Sequence, residues 1–153
     1  MPDRVGHRSV LVVDDDPIVR SVVATLFSRF GYPVVVANDS NDAAWRIQHT
    51  DYDLVVSDFD MPDINGYQLA CRIKQKNGRT RAVIMTGNGL TQAFQYAGCR
   101  EVDGWLFKPF DFEAISNVME TLQLPNAFAL RGSQGRRQAV CKSDETAQAQ
   151  ERT

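Results

Sequence analysis

Apolar residues fall along this chain in two alternating rhythms. Continuous or near-continuous apolar runs at Val10 to Val13, Val34 to Val36, Ala82 to Met85 and Gly104 to Phe107 predict strands, as does the run Leu54-Val55-Val56. That last run is short and rich in β-branched residues, which marks a central strand covered on both faces. Between the runs, apolar residues recur three and four apart. Val19, Val22, Val23, Leu26, Phe27 and Phe30 predict a first helix, and Ala44 with Ile47 places a second against the core. Leu69 and Ile73 mark a third over Tyr67 to Lys74, and Leu90, Phe94 and Ala97 a shorter fourth. Ile115, Val118, Met119 and Leu122 mark the last. Trp45 is read as a partly buried packing residue.

Polar residues punctuate these segments where helices begin and end. Asp16 caps the first helix, Pro17 suits its first turn and Gly31 closes it. Asn38-Asp39-Ser40 offers caps for a helix running to about Gln48, Lys76-Asn77-Gly78 ends the third, and Asp111 caps the last. Strand and helix alternate with short connections, and crossovers between parallel strands are right-handed. The expected fold is therefore α/β: a flavodoxin-like, doubly wound, five-stranded parallel sheet in the order 2-1-3-4-5, with helices on both faces. Residues 9–124 form this domain, after an N-terminal extension at 1–8. From Pro125 the apolar periodicity fails, so 125–153 is expected to be a polar, disordered tail.

Composition narrows the function classes. With 153 residues and 43% hydrophobic content, the chain suffices for one domain and is short for two. A formal charge of −2 gives no reason to expect nucleic acid or an anionic membrane as a partner. Arg131, Arg136, Arg137 and Lys142 make the tail locally basic, and the stretch is read as solvated. Cys71, Cys99 and Cys141 lack CxxC spacing and are expected to be reduced thiols in a cytosolic protein. No segment has the length of a signal peptide or a membrane span, so a cytoplasmic location is expected.

The chemistry gathers where strands end. An Asp-Asp pair alone reads as a solvated turn with a helix cap. Parallel strands, however, bring Asp14 and Asp15 of the first strand to Asp58 of the third, with Thr86 and Lys108 from the fourth and fifth. In open α/β sheets this carboxyl edge is where ligands bind. Two carboxylates about 4 Å apart repel by about 4 kcal/mol at an effective dielectric of about 20, so three require compensation. Lys108 supplies one positive charge, and a divalent cation would supply the rest. Oxygen ligands suit magnesium, with manganese as its substitute.

The motifs Leu11-Val12-Val13-Asp14-Asp15-Asp16-Pro17, Ser57-Asp58-Phe59-Asp60-Met61-Pro62 with Gly66, Met85-Thr86-Gly87 and Trp105-Leu106-Phe107-Lys108-Pro109-Phe110 occur in that order. In this arrangement the chain resembles a response-regulator receiver domain of the CheY-like family over roughly Ser9 to Leu124. The resemblance implies that Asp58 accepts a phosphoryl group from a histidine kinase or phosphotransfer protein. It further implies magnesium bound by Asp14, Asp15, Asp58 and the backbone carbonyl of Asp60. Lys108 and Thr86 would hold the phosphoryl oxygens, Asp60 and Asn88 would tune dephosphorylation, and the Lys108-Pro109 bond would be cis.

Trp105 stands where the family usually has tyrosine, phenylalanine or histidine. It is expected to couple the site to a protein-binding face made by the fourth helix, fifth strand and last helix. The Ala97-Gly98 pair lies further from this aromatic than is common in receivers, which predicts an early end to the fourth helix and a longer loop. The expected protein is a response regulator without an output domain, catalysing only its own phosphoryl transfer and dephosphorylation. Two other readings are weighed. Asp58-Phe59-Asp60 resembles the Asp-x-Asp of haloacid-dehalogenase-type phosphatases, but there that motif precedes the acidic pair, the reverse of the order here. A receiver fold serving only as an unphosphorylated interaction module is disfavoured by the presence of all five site residues.

Overall fold

The computed structural model describes residues 9–87, 90–96 and 98–124. The expected extension and the expected tail lie outside the described residues. Strands β1 (Val10–Val13), β2 (Val34–Ala37), β3 (Leu54–Asp58), β4 (Arg81–Thr86) and β5 (Gly104–Phe107) form one sheet in the order β2-β1-β3-β4-β5. All neighbours in it are parallel. Helices α1 (Pro17–Ser28), α2 (Ser40–His49), α3 (Gly66–Lys76), α4 (Leu90–Gln95) and α5 (Phe112–Thr121) alternate with the strands, as the two apolar rhythms predict.

Because side chains alternate across a strand, the sheet divides its apolar residues between two cores. Val10, Val12, Leu54, Val56, Val83, Met85 and Leu106 face Val23 and Phe27 of α1 and Ile115 and Met119 of α5. Leu11, Val13, Val55 and Ile84 face the other way, onto Ala43 and Ile47 of α2 and Leu69 and Ile73 of α3. The central strands are apolar on both sides because both faces are covered.

Several positions differ from the expectation, and helix phase accounts for most of them. Ala43, not Ala44, is the buried alanine of α2, since it lies one turn before Ile47. Trp45 falls two residues from each and so points outward. It is 60% exposed and stacks on His49 with ring centroids 4.1 Å apart. On α1, Val23 and Phe27 take the inner face, which leaves Val22 outside, 54% exposed. Helix α4 ends at Gln95, and Phe94 is 73% exposed instead of facing the core. Ala97 and the side chain of Leu90 lie outside the described residues.

Three contacts bring the carboxyl ends of the strands into line. Val13 pairs with Ser57, Asp58 with Met85, and Thr86 with Phe107, so Asp14, Asp58, Thr86 and Lys108 emerge along one edge. At the opposite end, Asp103 anchors the approach to β5. Its Oδ2 accepts from the Lys74 ammonium of α3 and, at 2.8 Å, from the Ala82 amide of β4. With 15% of its side chain exposed, this carboxylate is compensated by Lys74, by the Ala82 amide and by Arg81, whose Nη1 lies 3.6 Å from Oδ1. Nothing in the residues around Asp103 announces this role, because its partners are remote in sequence.

Candidate functional site

Each acid at the sheet edge is positioned by the backbone that follows it. After β1 the chain turns into α1, and Asp16 caps that helix by accepting from the amides of Ile18 at 2.9 Å and Val19 at 3.4 Å. The same turn lets the Asp16 amide donate to Asp14 Oδ1 at 2.9 Å. Arg20, one turn into α1, donates from Nη1 to the Asp14 carbonyl at 2.8 Å, a support that the sequence did not reveal. Asp14 is 1% exposed, whereas Asp15 points outward.

After β3, the Phe59 amide donates to the Met85 carbonyl at 2.8 Å, and the Gly66 amide donates to the Phe59 carbonyl at 2.9 Å. This closes the loop tightly beneath Asp58. A Cβ on residue 66 would lie 2.7 Å from the Asp58 carbonyl oxygen and 3.0 Å from Phe59 Cα, so glycine is required there. Helix α3 then starts with a capping box. The Gln68 amide donates to Asn65 Oδ1 and the Asn65 amide to Gln68 Oε1, both at 2.8 Å. The Asn-x-x-Gln spacing was legible as a helix start but was not among the caps expected.

Lys108 completes the cluster. Its ammonium donates to Asp58 Oδ1 at 2.9 Å and lies 3.6 Å from Asp14 Oδ2. The Lys108 amide donates to the Thr86 carbonyl at 2.8 Å, tying the end of β5 to the end of β4, and the Lys108-Pro109 bond is cis. Thr86 is fully buried at that edge. Carboxylate oxygens of Asp14, Asp15 and Asp58 lie within 4.8 Å of one another.

Burial governs the electrostatics. It pushes the Asp14 carboxyl above its usual range, against the pull of the Asp16 amide and Lys108. Asp58 is raised for the same first reason, with Lys108 opposing and the charge on Asp14 adding to the rise. Burial alone would lower Lys108, but the hydrogen bond from its ammonium to Asp58 and the fields of both acids hold it above the ordinary lysine value. One ammonium thus serves a cluster of three acids. Asp14 Oδ2 is a buried oxygen without a hydrogen-bond partner. An all-oxygen group with a surplus of negative charge and an unsatisfied buried acceptor fits a small, hard divalent cation.

The family model for the response regulator receiver domain matches residues 10–120. The chain belongs to this family. Among its curated relatives are the sensor histidine kinase RcsC of Escherichia coli K12, 34% identical over 110 residues, and the DNA-binding transcriptional regulator NtrC of Azospirillum brasilense, 31% identical over 113. These matches cover 72% and 73% of this chain but only 12% and 23% of the relatives, so what is shared is the receiver and not the whole protein.

Among solved structures, the receiver is similar to the chemotaxis protein CheY4 of Vibrio cholerae, with a TM-score of 0.69 and 25% identity. That match spans 76% of this chain and 99% of the other. It is also similar to the response regulator TrrA of Thermotoga maritima in complex with Mg2+ and BeF, with a TM-score of 0.67 and 25% identity, over 75% of this chain and 98% of that one. This is therefore a receiver domain of the two-component type, and its acidic cluster supports a magnesium site.

Trp105 is half-buried, packs against the core beside α2 and α3, and has its ring 6.4 Å from that of Tyr96 at 25°. Asp60 is exposed just after β3. Asn88 lies outside the described residues. Among the described residues no helix is long and apolar enough to cross a membrane.

Proposed function

We propose that this receiver takes a phosphoryl group onto Asp58 from a phosphohistidine of a histidine kinase or phosphotransfer protein. The observation that carries this reading is the Lys108 ammonium, 2.9 Å from Asp58 Oδ1 and 3.6 Å from Asp14 Oδ2. It sits where the oxygens of an incoming phosphoryl group would gather charge. In the transfer, the phosphorus–nitrogen bond of the donor breaks as an Asp58 oxygen bonds to phosphorus, and the donor histidine leaves neutral after taking up a proton.

A carboxylate is a modest nucleophile. Transfer of this kind depends mainly on alignment and on neutralising the equatorial oxygens. Asp14, Asp15, Asp58 and the Asp60 carbonyl would hold magnesium, which when bound supplies positive charge to those oxygens. Lys108 leaves its direct bond with Asp58 to hold the phosphoryl group, and the Thr86 hydroxyl donates to it. The close approach of Gly66 to the Asp58 carbonyl packs the following loop against the strand end that carries the acceptor.

The downstream partner is a protein that docks on the face formed by α4, β5 and α5. Trp105, carried by β5 within that face, is the residue whose indole reports or transmits the change on phosphorylation. Asp60 and Asn88 set how readily water reaches the acyl phosphate.

Incubation of the chain with acetyl phosphate and magnesium tests the assignment. Intact-mass measurement should show one phosphoryl group per chain, lost on chelation of the metal before addition of the donor and absent in Asp58→Asn. Labelling that persists in Asp58→Asn, or continued turnover of a phosphomonoester, overturns it.

A further inference from the structure

Consecutive acids follow β1, and each is turned a different way. Asp14 is buried, Asp15 points outward, and Asp16 commits its side chain to the cap of α1, accepting from the Ile18 amide at 2.9 Å. The first turn of α1 holds Asp14 at two points. The Asp16 amide donates to Asp14 Oδ1 at 2.9 Å, and Arg20 Nη1 donates to the Asp14 main-chain carbonyl at 2.8 Å. The Arg20 amide donates in turn to the Asp16 carbonyl at 2.9 Å. One half-buried residue therefore grips both sides of the turn, with its backbone on Asp16 and its guanidinium on Asp14.

We propose that Arg20 is a positioning residue for cation binding: through the Asp14 carbonyl it fixes the turn that presents Asp14 Oδ2 to the acidic edge, and so sets how tightly that edge holds magnesium. The inference rests on the reading of this edge as a magnesium site and names a residue outside the acidic cluster that tunes it.

The unsatisfied oxygen is what makes the support necessary. Asp14 Oδ1 is taken by the Asp16 amide, while Oδ2 is buried without a hydrogen-bond partner, 3.6 Å from the Lys108 ammonium. A buried acceptor left unpaired costs free energy, so a carboxylate able to swing would turn Oδ2 toward a donor or toward water and be lost as a ligand. Fixing the main chain from which the side chain hangs prevents that relaxation. A charge-assisted bond from a guanidinium is stronger than one between neutral groups, which suits it to this task.

Two other roles for Arg20 fit less well. A direct hold on phosphoryl oxygens would put the guanidinium among the carboxylates, but the cation that faces Asp14 and Asp58 is Lys108. A plain counter-charge would pair with a carboxylate, whereas Arg20 Nη1 meets a carbonyl, where the direction of the bond matters more than net charge. Residues outside a metal's direct ligands commonly act this way, by orienting the groups that touch it.

Position and charge predict opposite signs, which makes the test decisive. Removing a cation from beside a site for a divalent ion strengthens binding of that ion, whereas releasing the ligand weakens it. Magnesium chloride is titrated into the full chain and into Arg20→Ala, Arg20→Gln and Arg20→Lys while the backbone amide resonances are followed. Arg20→Ala should bind magnesium about tenfold more weakly, with partial recovery in Arg20→Lys, which keeps a cationic donor. Before metal is added, the Asp16 amide of Arg20→Ala should exchange with solvent faster than in the unaltered chain, while amides of β3 and β4 keep their rates. General destabilisation would speed all of them.

Unchanged or tighter binding in Arg20→Ala overturns the proposal, and so does an Asp16 amide that exchanges as in the unaltered chain. If Arg20→Ala does not fold, Arg20→Gln, which also lacks the charge, decides by the same criteria. An unaltered chain that takes up no magnesium overturns the magnesium reading and this proposal together, whereas variants that bind as well as the unaltered chain overturn the proposal alone.

Discussion

The two faces of the sheet are closed in different ways. On the first, α1 and α5 lay Phe27, Ile115 and Met119 against Val10, Leu54, Val83 and Leu106, all at most 2% exposed. On the second, α2 and α3 supply Ala43, Ile47, Leu69 and Ile73, but α4 is only six residues long and its Phe94 turns to solvent. The remaining cover comes from aromatic rings: Tyr96 contacts Phe59, Tyr67 and Trp105, with centroids 5.6, 4.4 and 6.4 Å apart. Long amphipathic helices close a face by burying aliphatic area, which is strong and tolerant of direction. Rings and hydroxyls close it with fewer, more directional contacts. The first face is built for stability, and the second leaves its α4 end easier to move.

The sharpest way to break this contrast is Phe27→Ala. It should cost about 3–5 kcal/mol, as for truncation of a fully buried phenylalanine, read as a fall in the urea midpoint. On the second face, Tyr96→Ala should cost about 1–2 kcal/mol, less than Phe27→Ala because the Tyr96 ring is only half-buried. Its effect should be local, with faster amide exchange over residues 98–103 and little change in α1 or α5. Equal losses from the two substitutions would show that the faces do not differ. Phe94→Ala should change stability by less than about 0.5 kcal/mol because the ring is 73% exposed. A larger loss measured by the same denaturation would place Phe94 against a surface.

How much of this was legible in the sequence follows the same division. The strands were readable because runs such as Leu54-Val55-Val56 are covered on both faces, and the order of the sheet follows from their alternation with helices. Asp16 and Asp111 were readable as caps because capping is local, and both accept from the amides expected. The gathering of Asp14, Asp15, Asp58, Thr86 and Lys108 at one edge was readable because each lies at or just past a strand end, and parallel pairing fixes where those ends go. Position within a helical turn was less secure: one residue of phase separates Ala43 from Ala44 and puts Trp45 in water. The α4–β5 segment was least readable. Its contacts join Tyr96, Glu101 and Asp103 to residues 21 to 37 positions away, and no local pattern marks them.

The order in which the site's charges appear along the chain has a consequence for synthesis. A nascent polypeptide extended only through β3 already holds Asp14, Asp15 and Asp58, while Lys108 is supplied last, beyond β5. Until that final strand docks at the sheet margin, the three acids have no lysine among them and repel one another. The finished arrangement of carboxylates and ammonium is thus reached only when the ribosome has delivered β5, and a product truncated before it would present the acids without the cation that holds them together.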